Sequence, residues 1–263
     1  LVEGPLHTMK KALQLSIFST MLACGAAQAQ TQSPGAPAPS QSGMDRIADS
    51  LHFIVVYPSG IAGMFGLGSD WNAGKCCGNA ARNNVDDLAF LQGTVDQVAR
   101  HIAVDRRRVY VAGFSDGGRM AYRVACDAST MVAAIGVVAG SVVDDTCTPT
   151  RGVPLISFHG TADREVPYSE PPQAQTATPL LPAPGIPPSV QYWATVNRCQ
   201  GTTVSQAAPH ITRVQFNSCA ADVLFYAVDS GGHAWPGGEK DGDDGAEPTH
   251  ELSATATIIA FFL

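Results

Sequence analysis

One serine of this chain lies between glycines at a point where a strand pattern gives way to a helix pattern, and few folds accommodate that arrangement. The segment RVYVAGFSDGGRMAYRVAC occupies residues 108–126. It opens on a short run rich in β-branched and aromatic residues, and its second half repeats apolar residues at helical spacing. Residues 113–117 match G-x-S-x-G, in which the serine stands on a sharp strand-to-helix turn. Ser115 is therefore a candidate nucleophile, and the alternative is an unreactive hydroxyl in a glycine-rich turn.

The apolar runs of the chain predict a sheet that is covered on both faces. With 263 residues and 45% apolar content, the chain is long enough for one α/β domain. The runs lack polar alternation, as strands buried on both faces do, and helical segments such as residues 86–101 separate several of them. We therefore predict a mostly parallel, helix-flanked sheet whose strands include residues 52–58, 108–112, 133–140, 153–160 and 223–228.

The charge balance argues against a nucleic-acid partner. The chain has 16 Lys and Arg residues against 23 Asp and Glu residues, a formal net charge of −7, whereas nucleic-acid binding needs a basic surface. The basic cluster Arg106–Arg108 is more typical of a helix end. The acidic loop at residues 239–247 lacks the ligand spacing of a calcium loop and is interpreted as solvated surface. We predict no metal and no cofactor, and the oligomeric state stays open.

The first 43 residues are predicted to lie outside the folded domain. Residues 1–29 contain two lysines, an apolar stretch and a small-residue end at Ala27 and Ala29, the pattern of a secretory signal peptide too short to span a membrane. Lipid attachment at Cys24 is the alternative. Residues 30–43 are a flexible leader of small and proline residues, and residues 44–263 form the predicted domain. The protein is therefore expected to be extracellular or periplasmic, without stable membrane insertion.

The cysteines favour disulfide bonds. Six of the seven cysteines lie beyond the predicted signal peptide, and an even number in an exported protein indicates a disulfide framework. Their proximity and the strand pattern between them make Cys199–Cys219 the first expected pair. The adjacent cysteines Cys76 and Cys77 are expected to pair with Cys126 and Cys147, in an order that the sequence leaves open.

A serine nucleophile needs a base to take its proton and an acid to orient that base. His233 follows a strand directly and lies on a glycine-rich loop, VDSGGHAWPGG. Asp163, in SFHGTADREVPY, comes just after another strand and gives the chain order Ser, Asp, His expected of α/β-hydrolases. Asp229 is the rival acid, and His159 is interpreted as structural. The proline-rich residues 169–189 form either a surface loop or a wall of a substrate cleft.

From Met44 onward the chain resembles the secreted esterases grouped as polyhydroxybutyrate depolymerase-like and feruloyl esterase proteins, carbohydrate esterase family 1. The resemblance implies an α/β-hydrolase fold and a serine esterase without metal or cofactor, with Ser115 as nucleophile, Asp163 as acid and His233 as base. The matching phrases are MDRIADSLHFIVVYP, WNAGKCCG, VDDLAFL, RVYVAGFSDGGRMAYRVAC, HGTADREVPY and GGHAWPGG.

The chain departs from the family pattern before Met44. Members usually carry there a hairpin and a central strand that ends in His-Gly, whose loop supplies one N–H of the oxyanion hole. Here a proline-rich leader precedes Met44 directly. The resemblance therefore implies one oxyanion donor, the backbone N–H of Asp116, leaves the second unassigned, and predicts a strand missing from the middle of the sheet. Trp71 and Trp235 are candidate walls of an acyl pocket, although tryptophans beside glycine loops also serve as packing residues.

The sequence as a whole predicts a secreted serine carboxylesterase that acts through an acyl-enzyme. Feruloyl or related plant cell-wall esters are the first expected substrates, and polyhydroxyalkanoate esters, as cleaved by polyhydroxybutyrate depolymerase, are the alternative. A serine peptidase would have the same order of residues. A further alternative, motivated by the absent strand, is a catalytically impaired esterase that serves as a binding protein.

Overall fold

The computed structural model describes residues 42–63, 69–143, 147–169, 185–240 and 245–263. The predicted signal peptide, nearly all of the leader and most of the proline-rich segment lie outside the described residues, as does the middle of the acidic loop. Within the described part of the chain, no helix is both long enough and apolar enough to span a bilayer.

A mixed sheet forms the centre of the domain. Among the described residues it has six strands in the spatial order β3-β4-β5-β8-β7-β6, and a separate antiparallel pair, β1 with β2, lies outside it. Neighbours from β3 to β8 are parallel, whereas β7 and β6 add an antiparallel edge. The strands are β1 (Ile61–Ala62), β2 (Ser69–Asp70), β3 (Tyr110–Phe114), β4 (Ala134–Val138), β5 (Leu155–Gly160), β6 (Gly201–Ala208), β7 (Ile211–Asn217) and β8 (Val223–Val228).

Helices cover both faces of the sheet, and two of the described helices begin at a side-chain cap. Asp86 accepts a hydrogen bond from the N–H of Ala89 before the predicted helix, and Ser253 does the same for Ala256 before the last helix. The helices are α1 (Met44–Leu51), α2 (Gly78–Arg82), α3 (Asp87–Ala99), α4 (Asp116–Asp127), α5 (Pro188–Val196) and α6 (Ala254–Phe262).

Two apolar clusters explain why the strands lack polar alternation. Ile135 and Leu155 face a cluster that includes residues of α4 and α5, whereas Ile156 and Phe158 face a second cluster that includes residues of α1 and α6. Successive residues of a strand point to opposite faces, so a strand that meets a cluster on each face is apolar throughout. The predicted mostly parallel sheet, covered by helices on both faces, is therefore confirmed.

The prediction of a buried strand at residues 52–58 is wrong. Val55 and Tyr57 are buried in the second cluster, but the stretch belongs to no strand of the described sheet. The apolar residues that suggested a strand are buried instead by packing onto helices α1 and α6 and onto one face of the sheet. Strand formation also needs a neighbouring backbone, which local sequence does not encode.

The outer edge of β3 has no described partner. Ser115 donates its N–H to the carbonyl of Val138, and Val109 accepts from Ala133, so odd-numbered residues bond toward β4. The backbone groups of Tyr110, Ala112 and Phe114 therefore point to the opposite edge, because neighbours along a strand alternate. No described strand pairs there, although Ala112 is only 1% exposed.

The disulfide pairing corrects one sequence-based expectation. Cys199–Cys219 forms as predicted and joins the segments that flank the β6–β7 hairpin. Cys126 bonds to Cys147, however, and the adjacent cysteines Cys76 and Cys77 bond to each other. The end of α4 lies beside Cys147, which only the packing of that helix against β4 establishes.

Candidate active site

Ser115 stands at a sharp turn between β3 and α4. Its backbone has φ 54° and ψ −119°, a conformation that non-glycine residues rarely adopt and that costs on the order of 1–3 kcal/mol. A Cβ atom at Gly113 would lie 1.9 Å from the carbonyl oxygen of Gly117, so only glycine permits the strand and helix to approach this closely. The turn therefore projects the Ser115 side chain beyond the end of the parallel strand, as the motif predicted.

The first turn of α4 contributes both backbone and side-chain groups beside Ser115. The N–H groups at a helix start have no acceptor within the helix and carry a partial positive charge, so the N–H of Asp116 is suited to bind a developing anion. The Asp116 side chain turns toward Arg119, whose Nη1 lies 3.5 Å from Asp116 Oδ1. Burial raises the pKa of Asp116, and the Arg119 charge opposes that rise.

Glycines also let two further loops come together at the same sheet edge. Asp163 follows β5 and His233 follows β8, and these two strands are parallel neighbours. A Cβ atom at Gly160 would lie 2.2 Å from the carbonyl oxygen of Gly231, so the two backbones can approach this closely only where glycine is present. The N–H of Ala162 donates to that same carbonyl, which fixes one loop against the other.

Asp163 binds His233 directly. The distance from His233 Nδ1 to Asp163 Oδ2 is 2.8 Å, and the carboxylate is fully buried. The other oxygen, Oδ1, accepts the N–H groups of Glu165 and Val166. Burial alone would raise the pKa of Asp163, but hydrogen bonds from His159, His233 and the backbone outweigh it and hold that pKa well below its usual range.

The His233 ring also contacts the residue before the serine. Its centroid lies 4.6 Å from that of Phe114, the last residue of β3, so the imidazole sits at the strand end that carries Ser115. In the described part of the chain Ser115 Oγ makes no hydrogen bond to His233. Such bonds are often long in ligand-free sites and shorten when substrate binds.

Asp229, the rival candidate for the acid, and His159 lie at different positions relative to the Asp163–His233 pair. Asp229 is exposed and accepts from Thr161 Oγ1 at 3.5 Å, away from the His233 Nδ1 that Asp163 occupies. His159 is buried, and its Nε2 lies 2.8 Å from the carbonyl oxygen of Val166 and 3.4 Å from Asp163 Oδ2. It therefore supports the carboxylate, in agreement with the structural role that the sequence suggested. Glu165 was not among the residues predicted from the sequence, although its Oε2 lies 3.8 Å from His233 Nε2. Nothing in its local sequence distinguishes it from an ordinary surface residue.

The structure places the two candidate pocket tryptophans in the core. Trp71 is 6% exposed and packs near Phe90, whereas Trp235 is 5% exposed and donates its indole N–H to Thr255. Side chains so deeply buried have little surface to offer an acyl group. Their predicted role as pocket walls is therefore not supported, and packing accounts for both.

The loop between β2 and α2 borders the site on the side of Asp116. Arg119 Nη1 lies 3.5 Å from the sulfur of Cys76 and 3.7 Å from that of Cys77, so one guanidinium joins the disulfide to the first turn of α4. The two sulfurs and an Asp116 oxygen are close enough to share a metal ion. Cysteine binds metals as a thiolate, however, and here the two sulfurs are bonded to each other. In this disulfide form they do not offer thiolate ligands.

Comparison with known proteins agrees with this architecture. No protein-family model matches the chain. Feruloyl esterase B of Piromyces equi is 29% identical over 188 residues, which cover 69% of this chain and 34% of that protein. The putative esterase NocK of Nocardia uniformis subsp. tsuyamanensis is 28% identical over 75% of this chain and 60% of its own length. Feruloyl esterase C of Emericella nidulans is 28% identical over 58% of this chain and 52% of its own.

A solved structure gives the fold. The acetyl xylan esterase from Aspergillus awamori superimposes with a TM-score of 0.54 over 84% of this chain and 81% of that one, at 16% sequence identity. The chain shares its fold. The predicted α/β-hydrolase fold is thus confirmed, as is the resemblance to feruloyl esterases that the motifs indicated. The chain spans about a third to three fifths of the length of the first curated relatives that it matches.

Proposed function

We propose that this protein is an exported serine carboxylesterase whose nucleophile is Ser115, with His233 as base and Asp163 as the acid that orients it. The observation that supports this most strongly is the 2.8 Å contact of His233 Nδ1 with a buried carboxylate, made at the strand end that carries a strained serine. The bond holds the imidazole in the tautomer whose Nε2 is free to accept a proton.

The chemistry follows from these positions. Ser115 Oγ attacks the ester carbonyl carbon and gives its proton to His233 Nε2, while the negative charge that develops on the carbonyl oxygen is met by the N–H of Asp116. The carbon–oxygen bond to the alcohol then breaks, and the alcohol leaves with the proton from Nε2. Water, deprotonated by the same nitrogen, attacks the acyl carbon, the bond from that carbon to Ser115 Oγ breaks, the proton returns from Nε2 to Oγ, and the acid is released.

Esters of feruloyl type or related plant cell-wall esters are the proposed substrates, because the names of two relatives carry that activity and the structure with the same fold is that of an acetyl xylan esterase. Polyhydroxyalkanoate esters remain the alternative among enzymes. Export is proposed from the signal-like start of the chain and the three disulfides found among the described residues.

The decisive test compares wild type with Ser115→Ala, Asp163→Asn and His233→Ala on an aryl ester and on methyl ferulate. Each variant is expected to lose turnover by about three to four orders of magnitude without unfolding, and their effects are expected not to add, because the three groups act as a unit. Asp229→Asn is the matched control and is expected to keep wild-type turnover. Loss of turnover in that control, with retention in Asp163→Asn, would contradict the assignment of the acid.

A catalytically impaired binding protein is the second candidate, and two observations favour it. Ser115 and His233 are not hydrogen bonded within the described residues, and the β3 edge beside the serine lacks a described partner. A fluorophosphonate probe separates the two candidates, because only an activated serine forms the covalent adduct. Labelling of wild type but not of Ser115→Ala supports the enzyme, and absence of labelling in both supports the binding protein.

A further inference from the structure

We infer that Glu165 forms a subsite for the alcohol half of the ester and selects alcohols that carry additional hydroxyl groups, such as sugars. The inference rests on the proposed esterase function. It begins from one contact that the catalytic assignment does not use. Glu165 Oε2 lies 3.8 Å from His233 Nε2, the nitrogen opposite the one that Asp163 binds.

The position of that nitrogen identifies what Glu165 borders. During the reaction Nε2 delivers a proton to the oxygen of the departing alcohol, so that oxygen must come within hydrogen-bond distance of Nε2. The His233 side chain is only 7% exposed, and therefore the few groups around Nε2 determine what can reach it. A carboxylate 3.8 Å from Nε2 consequently adjoins the alcohol and not the far end of the acyl chain.

The backbone of Glu165 is held in place, whereas most of its side chain is exposed. Its N–H donates to Asp163 Oδ1 at 2.9 Å, so the same carboxylate positions both His233 and Glu165. The Glu165 side chain is 69% exposed and extends into solvent at the mouth of the site. The carboxylate can therefore meet a ligand without losing a buried interaction.

The chemistry of the side chain indicates the class of alcohol. An ionised carboxylate only accepts hydrogen bonds, and a second hydroxyl on the alcohol is a donor that matches it. A hydrocarbon alcohol offers no such donor and would partly desolvate the carboxylate. An alcohol that carries a free carboxylate near this point would be repelled. Glu165 thus favours polyol esters over esters of apolar alcohols.

The experiment uses two esters of one acid. One is the 5-O-ferulate of a methyl pentofuranoside, and the other is tetrahydrofurfuryl ferulate, which keeps the ring and lacks the hydroxyls. The quantity compared is the ratio of kcat/KM for the first ester to kcat/KM for the second, measured for wild type, Glu165→Ala and Glu165→Gln. Glu239→Gln, at another exposed glutamate, is the matched control. Titration with a fluorophosphonate fixes the concentration of active sites in each preparation.

The ratio is expected to fall about tenfold in Glu165→Ala, because the lost hydrogen bond involves a charged acceptor, whereas kcat/KM for the tetrahydrofurfuryl ester is expected not to fall, because its ring offers the carboxylate no donor. The ratio is expected to fall less in Glu165→Gln and to stay at the wild-type value in Glu239→Gln. An unchanged ratio, or an equal loss on both esters, overturns the subsite and leaves the esterase proposal intact. Failure of wild type to cleave either ester overturns the proposed function and the subsite with it.

Discussion

At the scale of single residues, the site depends on glycines that allow backbone to approach backbone. Gly113 faces Gly117 across the turn that carries Ser115, and Gly160 faces Gly231 across the loops that carry Asp163 and His233. In both places a methyl group would occupy the position of a carbonyl oxygen. Ser115, Asp163 and His233 can therefore come to the same sheet edge only because these four positions lack side chains.

Gly113→Ala is expected to lower the free energy of unfolding by about 3 kcal/mol and to abolish ester turnover, because the new methyl group would overlap backbone that cannot move independently. Gly93→Ala is the matched control. Gly93 lies inside α3 with nothing near its missing Cβ, so alanine there is expected to raise the free energy of unfolding by about 0.5–1 kcal/mol. Urea titration of both variants measures these changes, and a stable, active Gly113→Ala protein would contradict the account of the turn.

Asp163 is expected to make stability depend on acid pH. Its folded pKa lies below the ordinary value near 3.9, so its stabilisation is fully present above about pH 4 and is lost as the pH falls through the folded pKa. The difference in the free energy of unfolding between wild type and Asp163→Asn should therefore shrink progressively as the pH falls below about 4.

The measurement is the free energy of unfolding of both proteins from pH 3 to pH 7 by urea titration, with Asp229→Asn as the control that should follow wild type. A difference between wild type and Asp163→Asn that stays constant across that range would show that the carboxylate is not stabilised in its charged form.

At the scale of secondary structure, two of the disulfides close loops of similar length. Cys126–Cys147 ties the end of α4 to the segment before β5, and Cys199–Cys219 closes the β6–β7 hairpin, with sequence separations of 21 and 20 residues. In the chain-entropy view such bonds stabilise mainly by restricting the unfolded state. They fix the end of helix α4 to the segment before β5 and close the hairpin at the edge of the sheet, and neither bond involves Asp163 or His233.

Replacing both cysteines of either pair by alanine is expected to lower the free energy of unfolding by about 3 kcal/mol. Ester turnover at a temperature where the variant is folded should persist. Mass spectrometry of the unreduced protein should find both pairs and no free thiol beyond Cys24. Two or more alkylated cysteines in folded protein, or a pairing of Cys76 with Cys126, would contradict the observed framework.

At the scale of the whole molecule, the sheet is unequal at its two edges. The β6 edge is antiparallel and extends into solvent, whereas β3 carries the serine and is buried, yet it has no described neighbour on its outer side. Buried backbone N–H and C=O groups without partners reduce stability. The strand that the family resemblance places between residues 52–58 and β3 would supply those partners.

A chimera with a relative's hairpin and His-Gly strand inserted before Met44 is therefore expected to show a higher melting temperature than the natural chain. It is also expected to turn over an activated aryl ester about a hundredfold to a thousandfold faster, because a second oxyanion donor is gained. Calorimetry and steady-state kinetics on monodisperse protein provide both values. A natural chain that already equals the chimera in both would mean that another segment supplies the donor and the backbone partners.

The sequence by itself determined the local features: the glycines around Ser115, the strand before it and the helix after it, the capped helix at Asp87–Ala99, and the loops with Asp163 and His233, each of which follows a buried strand. Those features depend on neighbours in the chain, so periodicity and turn chemistry reveal them. The family resemblance narrowed the choice of acid and base. Their mutual contact followed because parallel strands bring their carboxyl ends to one edge.

Only the tertiary structure decided which groups meet across distance. Residues 52–58 have the composition of a strand, but no backbone among the described residues lies beside them as a strand partner, and Trp71 and Trp235 turn into the core. Cys76 bonds to Cys77, whereas helix α4 brings Cys126 to Cys147. The choice of Asp163 over Asp229 and the approach of Glu165 to His233 depend on the same packing. Strand pairing, disulfide pairing and burial each require two segments in contact, so the sequence of one segment alone does not determine them.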